Sequence, residues 1–322
     1  MRARTWIVLT LLATLVAGGG GVLVDVRLDI YGLFRDARGR RLPIYDTERR
    51  AKYLLSLHYV PQNFDAVLVG SSVTANWDTS RLGLFRVYNE STEGANVTEE
   101  KALVEQVLRS TSLSAAICVV HPYLTDTQGL NTDDMNDREY WGALGSISLL
   151  RSYKLLVTTA LGRTLPLWDA YGSEDLKAPE KLNPVLSRIL APGTEVQINE
   201  AAFAEYGALV GELRRRGAKL VPVVPPTRED LLEPKRAALG RYLDRMLTLF
   251  SPEDVLIDFN APEYASFRRE PSYFRDGVHL TPRGAVEVVR LLDQRLVAER
   301  GRLGRAAQRS GGLPHRDRLT TR

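Results

Sequence analysis

The sequence predicts an α/β domain, a doubly wound three-layer sandwich built on about five parallel strands. Three observations lead there. Short apolar runs without polar alternation recur along the chain, as strands covered on both faces require. Stretches with helical apolar spacing separate them. Several runs stop on glycine or proline, where a buried strand must turn. The chain has 322 residues, enough for one large core with an anchor and a tail, and no internal repeat is present.

The N-terminus reads as an address. Arg2 and Arg4 precede an apolar stretch from Trp6 to Val24, close to the ~20 residues that cross a bilayer. A secretory signal has a shorter apolar core and a small-x-small cleavage site. Leu15-Val16-Ala17 matches such a site only in part, so residues 1–25 read as an uncleaved signal anchor rather than a cleaved signal. The two arginines set the N-terminus on the cytoplasmic side and everything after about residue 25 outside. Localisation is thus expected at the cell membrane, single-pass, with a periplasmic globular part.

Residues 26–61 carry mixed charges and read as a connector, with Thr47-Glu48-Arg49-Arg50 as a helix start. The folded domain is expected over 62–299. Phe64–Gly70 is the first strand and Val87–Asn89 the second. Helical spacing over Glu99–Arg109 leads to the third strand, Ala115–Val120. Ala218–Val224, stopped by Pro225-Pro226, is the fourth, Val255–Phe259 the fifth, and Ala285–Glu299 a closing amphipathic helix. Residues 127–196 exceed what a crossover needs. They read as a helical insertion over the sheet's carboxyl edge, where α/β ligand sites lie. Asn199–Arg216 is the crossover helix. From Arg300 onward there are seven arginines and one aspartate, and 300–322 reads as a disordered basic tail.

Charge excludes one function class. The formal net charge is +4, but the tail alone contributes +6, leaving −2 for the remainder. The basic pI therefore does not argue for nucleic acid. Cys118, the one cysteine, permits no internal disulfide and reads as a buried strand thiol. No Gly-rich phosphate loop and no Cys/His zinc pattern occurs, so no cofactor or metal is expected. Asp133, Asp134 and Asp137 lack calcium-loop spacing and read as a solvated loop. Trp141 and Trp168 fall in the insertion, where core packing is the expected fate and sugar stacking the other reading.

Two segments can carry chemistry. Gly70-Ser71-Ser72 follows the first strand. A serine there sits at the sheet's carboxyl edge, beside the N–H groups of the helix expected to follow, which can stabilise an oxyanion. Asp276-Gly277-Val278-His279 precedes the closing helix. Histidine is the usual base for a serine nucleophile, and an aspartate can orient it. Of the four histidines, His315 is in the tail and His58 precedes the first strand. Only His121 and His279 follow strands.

The pairing resembles the SGNH/GDSL hydrolase superfamily over about residues 62–298. The resemblance implies Ser72 as nucleophile and Asp276 and His279 as its partners. Ser71 stands where the family has an acidic residue. The family's oxyanion-hole glycine is matched by Gly94, which would act with Ser72. The family's third block, Gly-x-Asn-Asp, is replaced by His121-Pro122-Tyr123-Leu124-Thr125-Asp126, so that either His121 or Tyr123 supplies the third oxyanion donor or that donor is missing. Membrane tethering makes the chain similar to SGNH-type proteins that accompany polysaccharide export and O-acetylation. The resemblance implies a membrane-anchored serine esterase or O-acyltransferase acting on ester groups of a cell-envelope polysaccharide. Its partners would be the membrane, an envelope glycan and a membrane-bound acyl donor protein. The missing asparagine favours the alternative, a non-catalytic scaffold or glycan-binding component of a surface-polysaccharide assembly.

Overall fold

The computed structural model describes residues 3–42, 47–131, 133–163, 168–174 and 196–304. Helix α1, Ala3–Leu28, stands out from the body with its side chains exposed until Asp25. Its 26 residues span about 39 Å at 1.5 Å per residue, and it is long and apolar enough to cross a membrane. Only its last turn joins the globular part, where Asp25 accepts a hydrogen bond from the Tyr153 hydroxyl.

Five strands form one parallel sheet: β1 Ala66–Val69, β2 Val87–Asn89, β3 Ala115–Val119, β4 Lys219–Val224 and β5 Ile257–Asp258, in the order β2-β1-β3-β4-β5. The strands of β1 and β3 are buried at every residue, which is why they read as continuous apolar runs. In register, Leu68 lies between Asn89 and Ile117. Cys118 is buried in β3, and burial pushes its thiol up to about 12.

The order reverses direction at β1. The step from β1 to β2 runs one way, and the later crossovers run the other. Right-handed crossovers therefore put their connections on opposite faces. On one face lie α3, Val97–Ser110, and α7, Glu200–Arg215, which touch each other. Helix α8, Arg236–Leu247, joins them through Arg245, which bonds Glu200 and stacks on Phe203. On the other face the 3-10 turn Thr79–Arg81 packs against α9, Pro282–Ala298. Caps set these helix starts. Asn96 accepts from the Thr98 and Glu99 N–H groups, and Thr281 accepts from Gly284 with Pro282 following.

Four expectations need correction. Residues 48–63 are helix α2 of the core, not a connector. Ala51, Leu54, Leu55, Tyr59 and Val60 are buried, and α2 packs along α3. The tail begins later than 300. Arg300–Leu303 forms a short helix, α10, that buries Leu303, and residues 305–322 lie outside the described residues.

The insertion does not lie as one piece over the carboxyl edge. Residues 168–174 do run beside that edge, where Tyr171 accepts from the Asn89 N–H and Glu174 donates to Ala75. Helix α5, Arg138–Gly142, instead packs on α2, and α6, Ile147–Ala160, reaches the end of α1. Residues 164–167 and 175–195 lie outside the described residues. Finally, Trp141 is exposed rather than packed in the core. Trp168 is partly buried and donates to Glu48.

Candidate functional site

Ser72 lies just past β1, at the sheet's carboxyl edge, beside the point where the strand order reverses. No α-helix follows it. Residues 72–76 make consecutive tight turns, with Thr74 donating to Ser71 and Trp77 to Thr74. The expected helix N-terminus is therefore absent, and the local N–H groups come from turns. Gly70 is what lets this loop pack. A Cβ there would lie 2.2 Å from Thr74 Oγ1, 2.7 Å from Ser91 Oγ and 2.9 Å from Val119 Cγ2. Gly70→Ala is expected to destabilise the fold by about 1–3 kcal/mol and to displace the Ser72 loop. Chemical denaturation checks the first effect, and a stability equal to wild type would contradict it.

The segment Asp276–His279 reaches Ser72 from the far side of the sheet. His279 Nε2 is 2.9 Å from Ser72 Oγ, and His279 Nδ1 is 2.8 Å from Asp276 Oδ2. Asp276 Oδ1 accepts from the N–H groups of Val278 and His279, each at 2.8 Å. Burial opposes ionisation of Asp276. The His279 hydrogen bond and charge, with those two N–H groups, outweigh it and hold the carboxyl at about 2. An ionised carboxylate only accepts, so Nδ1 carries the imidazole proton. Nε2 then accepts, and the Ser72 hydroxyl donates.

Three hydrogen bonds from two residues brace this loop. The Arg228 side chain donates to the Asp276 carbonyl and its N–H to Gly277. Asn76, on the Ser72 loop itself, donates to the Leu280 carbonyl at 2.8 Å. Asn76 thus couples the serine and histidine loops directly. Neither Arg228 nor Asn76 is marked by sequence pattern, because each acts on backbone atoms distant in the chain.

His121 and Tyr123 line the same place. Their rings are 4.5 Å apart, and Tyr123 stacks beside His279 at 6.3 Å. His121 caps the short helix α4, Pro122–Thr125, its Nδ1 accepting from the Tyr123 N–H. Burial and the neighbouring His279 lower its pKa to about 3, so the ring is neutral. With Nδ1 accepting, its proton is on Nε2, a donor of the kind an oxyanion needs. Gly94 follows β2, two residues after Thr92, which bridges Ser71. It has φ +63° and sits exposed near Arg49, and its carbonyl accepts from Asn131. Among the described residues, no cluster of His, Cys, Asp or Glu is arranged to hold a metal ion.

Beneath the Ser72 loop is a buried ionisable cluster. The Glu100 carboxylate oxygen accepts from the Gly70 N–H at 3.3 Å. Lys52 Nζ donates to the Ser91 carbonyl and pairs with Glu48. Ser56 donates to Glu90, and Thr74 and Ser91 share a hydrogen bond. Burial raises the Glu100 carboxyl well above its usual range, against the Lys52 charge. One signal was legible. Glu100 shares the face of α3 with Leu103, Val104 and Val107, at spacings that point it inward.

Burial also raises Glu90, to about 7, opposed by Lys52 and Ser56. A raised carboxyl favours the folded state fully below its ordinary 4.5 and loses that contribution as pH rises toward about 7. Asp276 has the opposite sign, since its lowered pKa makes a contribution lost only as pH falls from 3.8 toward about 2. Between 4.5 and 7 Glu90 and Glu174, both raised to about 7, lower stability as pH rises, while His121, lowered from 6.5 to about 3, opposes them, so Glu90→Gln is expected to remove one falling component of the melting temperature's pH dependence. Thermal melts across the interval check it, and an unchanged slope in the variant would assign the effect elsewhere.

Compared with protein-family models the chain matches none, and no curated protein matches it.

Proposed function

We propose that this chain is a membrane-anchored serine esterase or O-acyltransferase of the SGNH/GDSL type, acting on ester groups of a cell-envelope glycan. The observation that carries the reading is the continuous chain of hydrogen bonds from Ser72 Oγ through His279 to Asp276. These three residue types, in that order and polarity, activate a hydroxyl for acyl transfer.

In this reading Ser72 Oγ attacks the acyl carbonyl carbon while His279 Nε2 takes its proton. The Ser72 loop N–H and the His121 Nε2–H donate to the oxyanion, with His121 replacing the family's asparagine. Collapse breaks the ester C–O bond, and His279 returns the proton to the departing sugar oxygen. The acyl-serine then passes its acyl group to water or to another sugar hydroxyl, with His279 again as base. Asp276 keeps the imidazole oriented and offsets its charge when protonated.

Membrane anchoring rests on α1, and the periplasmic placement on Arg2 and Arg4 at its start. The test is turnover of acetylated sugar esters by the full chain in detergent. Acetate release, or acetyl transfer to an added oligosaccharide, supports the reading. Binding of the glycan with no acyl chemistry would favour the scaffold role instead.

A further inference from the structure

The surface beside the end of α1 carries apolar side chains that the globular part leaves uncovered. Leu150 on α6 is 66% exposed and Val157 56%, Leu161, the residue that caps α6, is 62% exposed, and Trp141 on α5 is 70% exposed. Positions 150, 157 and 161 fall within about 40° of one another at 100° per residue, so they form one stripe. The opposite side of α6 is buried at Leu149 and Ser152, and Ser152 meets Tyr31 at 3.3 Å.

The place of the stripe relative to α1 follows from Tyr153. That residue is three positions after Leu150 and four before Val157, so it borders both on the helix surface. Its hydroxyl donates to Asp25. Asp25 is the first charged residue after the apolar stretch that ends at Val24. If α1 crosses a bilayer, Asp25 marks the level where hydrocarbon gives way to headgroups. The stripe is then held at that level by the contact.

We propose that α6, with Trp141, is a second membrane contact: an interfacial helix whose Leu150–Val157–Leu161 stripe rests in the boundary between headgroups and acyl chains of the bilayer that α1 crosses. The occupant is lipid, because Tyr153, which borders the stripe, is bonded to Asp25 at the end of the apolar α1, and the polar flanks of the stripe suit headgroups. Lys154 lies within the stripe and Arg151 beside it, both exposed. Their long stems can lie along apolar surface while the charges reach phosphate. Trp and Tyr are side chains that favour this level. Two attachments, α1 and α6, would fix how the Ser72 site is turned relative to the membrane, where a single helix would leave it free to swivel.

The inference rests on the reading of α1 as a membrane span, and the test separates the two. The full chain is reconstituted in vesicles of phosphatidylcholine and phosphatidylglycerol containing brominated lipid. Single cysteines introduced as Leu150→Cys, Val157→Cys, Val16→Cys or Arg216→Cys carry a small fluorophore, Cys118 being buried. The expected result is several-fold stronger lipid quenching at 150 and 157 than at 216, with 16 quenched as a residue inside the span. Quenching at 16 but none at 150 or 157 would overturn the α6 contact and leave the anchor standing. That result would also be expected if another protein or a second copy covered the stripe. Absence of quenching at 16 would overturn the anchor, and the α6 contact with it.

Discussion

Ser72→Ala is expected to lower ester turnover by about a million-fold if the chain is the proposed serine esterase, since in that mechanism the hydroxyl is the group that forms a bond to the substrate. The cost to folding should be small. Ser72 is half-buried, among the described residues its side chain bonds only His279, and no α-helix starts on it. Losing that one hydrogen bond costs about 1 kcal/mol. Turnover and a melt of the same preparation give both numbers. Turnover equal to wild type would mean the nucleophile lies elsewhere. A lost activity accompanied by a collapsed melting temperature would point to structural damage instead.

Asp276→Asn should cost about ten-thousand-fold in kcat with the fold retained. The geometry dictates why. Oδ1 of residue 276 accepts from two backbone N–H groups, so the amide oxygen of the asparagine stays there. Its NH2 then points at His279 Nδ1, where a carboxylate oxygen had been. That nitrogen must now accept, which moves the imidazole proton to Nε2. A protonated Nε2 cannot take the proton of Ser72. Kinetics of the variant test this, and an undiminished kcat would show that Asp276 only braces the loop.

Much of the fold was legible because the sheet is covered on both faces. Val67, Leu68, Ile117 and Val221 have no exposed side to alternate with polar residues, so each strand appeared as an apolar run. The candidate triad was legible for a different reason. Its residues follow or precede elements whose ends topology brings to one edge. Helix α2 was harder to read. Its buried face includes Lys52, Ser56 and Asn63, whose partners include the distant Ser91, Glu90 and Ala37, and so the apolar periodicity is broken. Helix α8 carries its signal in Leu239, Tyr242 and Met246, which are buried at helical spacing, yet exposed arginines surround them.

Finer features depended on geometry that spacing does not encode. The turns after Ser72 and the bracing by Arg228 and Asn76 both involve backbone atoms. His121 is instructive. It could be named as a donor from its place after β3, but which nitrogen holds the proton follows only from the bond it accepts from the Tyr123 N–H. Trp141 marks the limit of composition as a guide, because an aromatic side chain usually packs inside and this one does not.

The most direct test of the central claim is reaction of the full chain with a serine-directed phosphonate, followed by intact mass measurement and peptide mapping. If Ser72 is activated by His279 and Asp276, one adduct forms per chain, it maps to Ser72, and it is lost in Ser72→Ala and slowed in Asp276→Asn. No adduct on folded wild-type chain, or an adduct on a different serine, would contradict the assignment of Ser72 as an activated nucleophile.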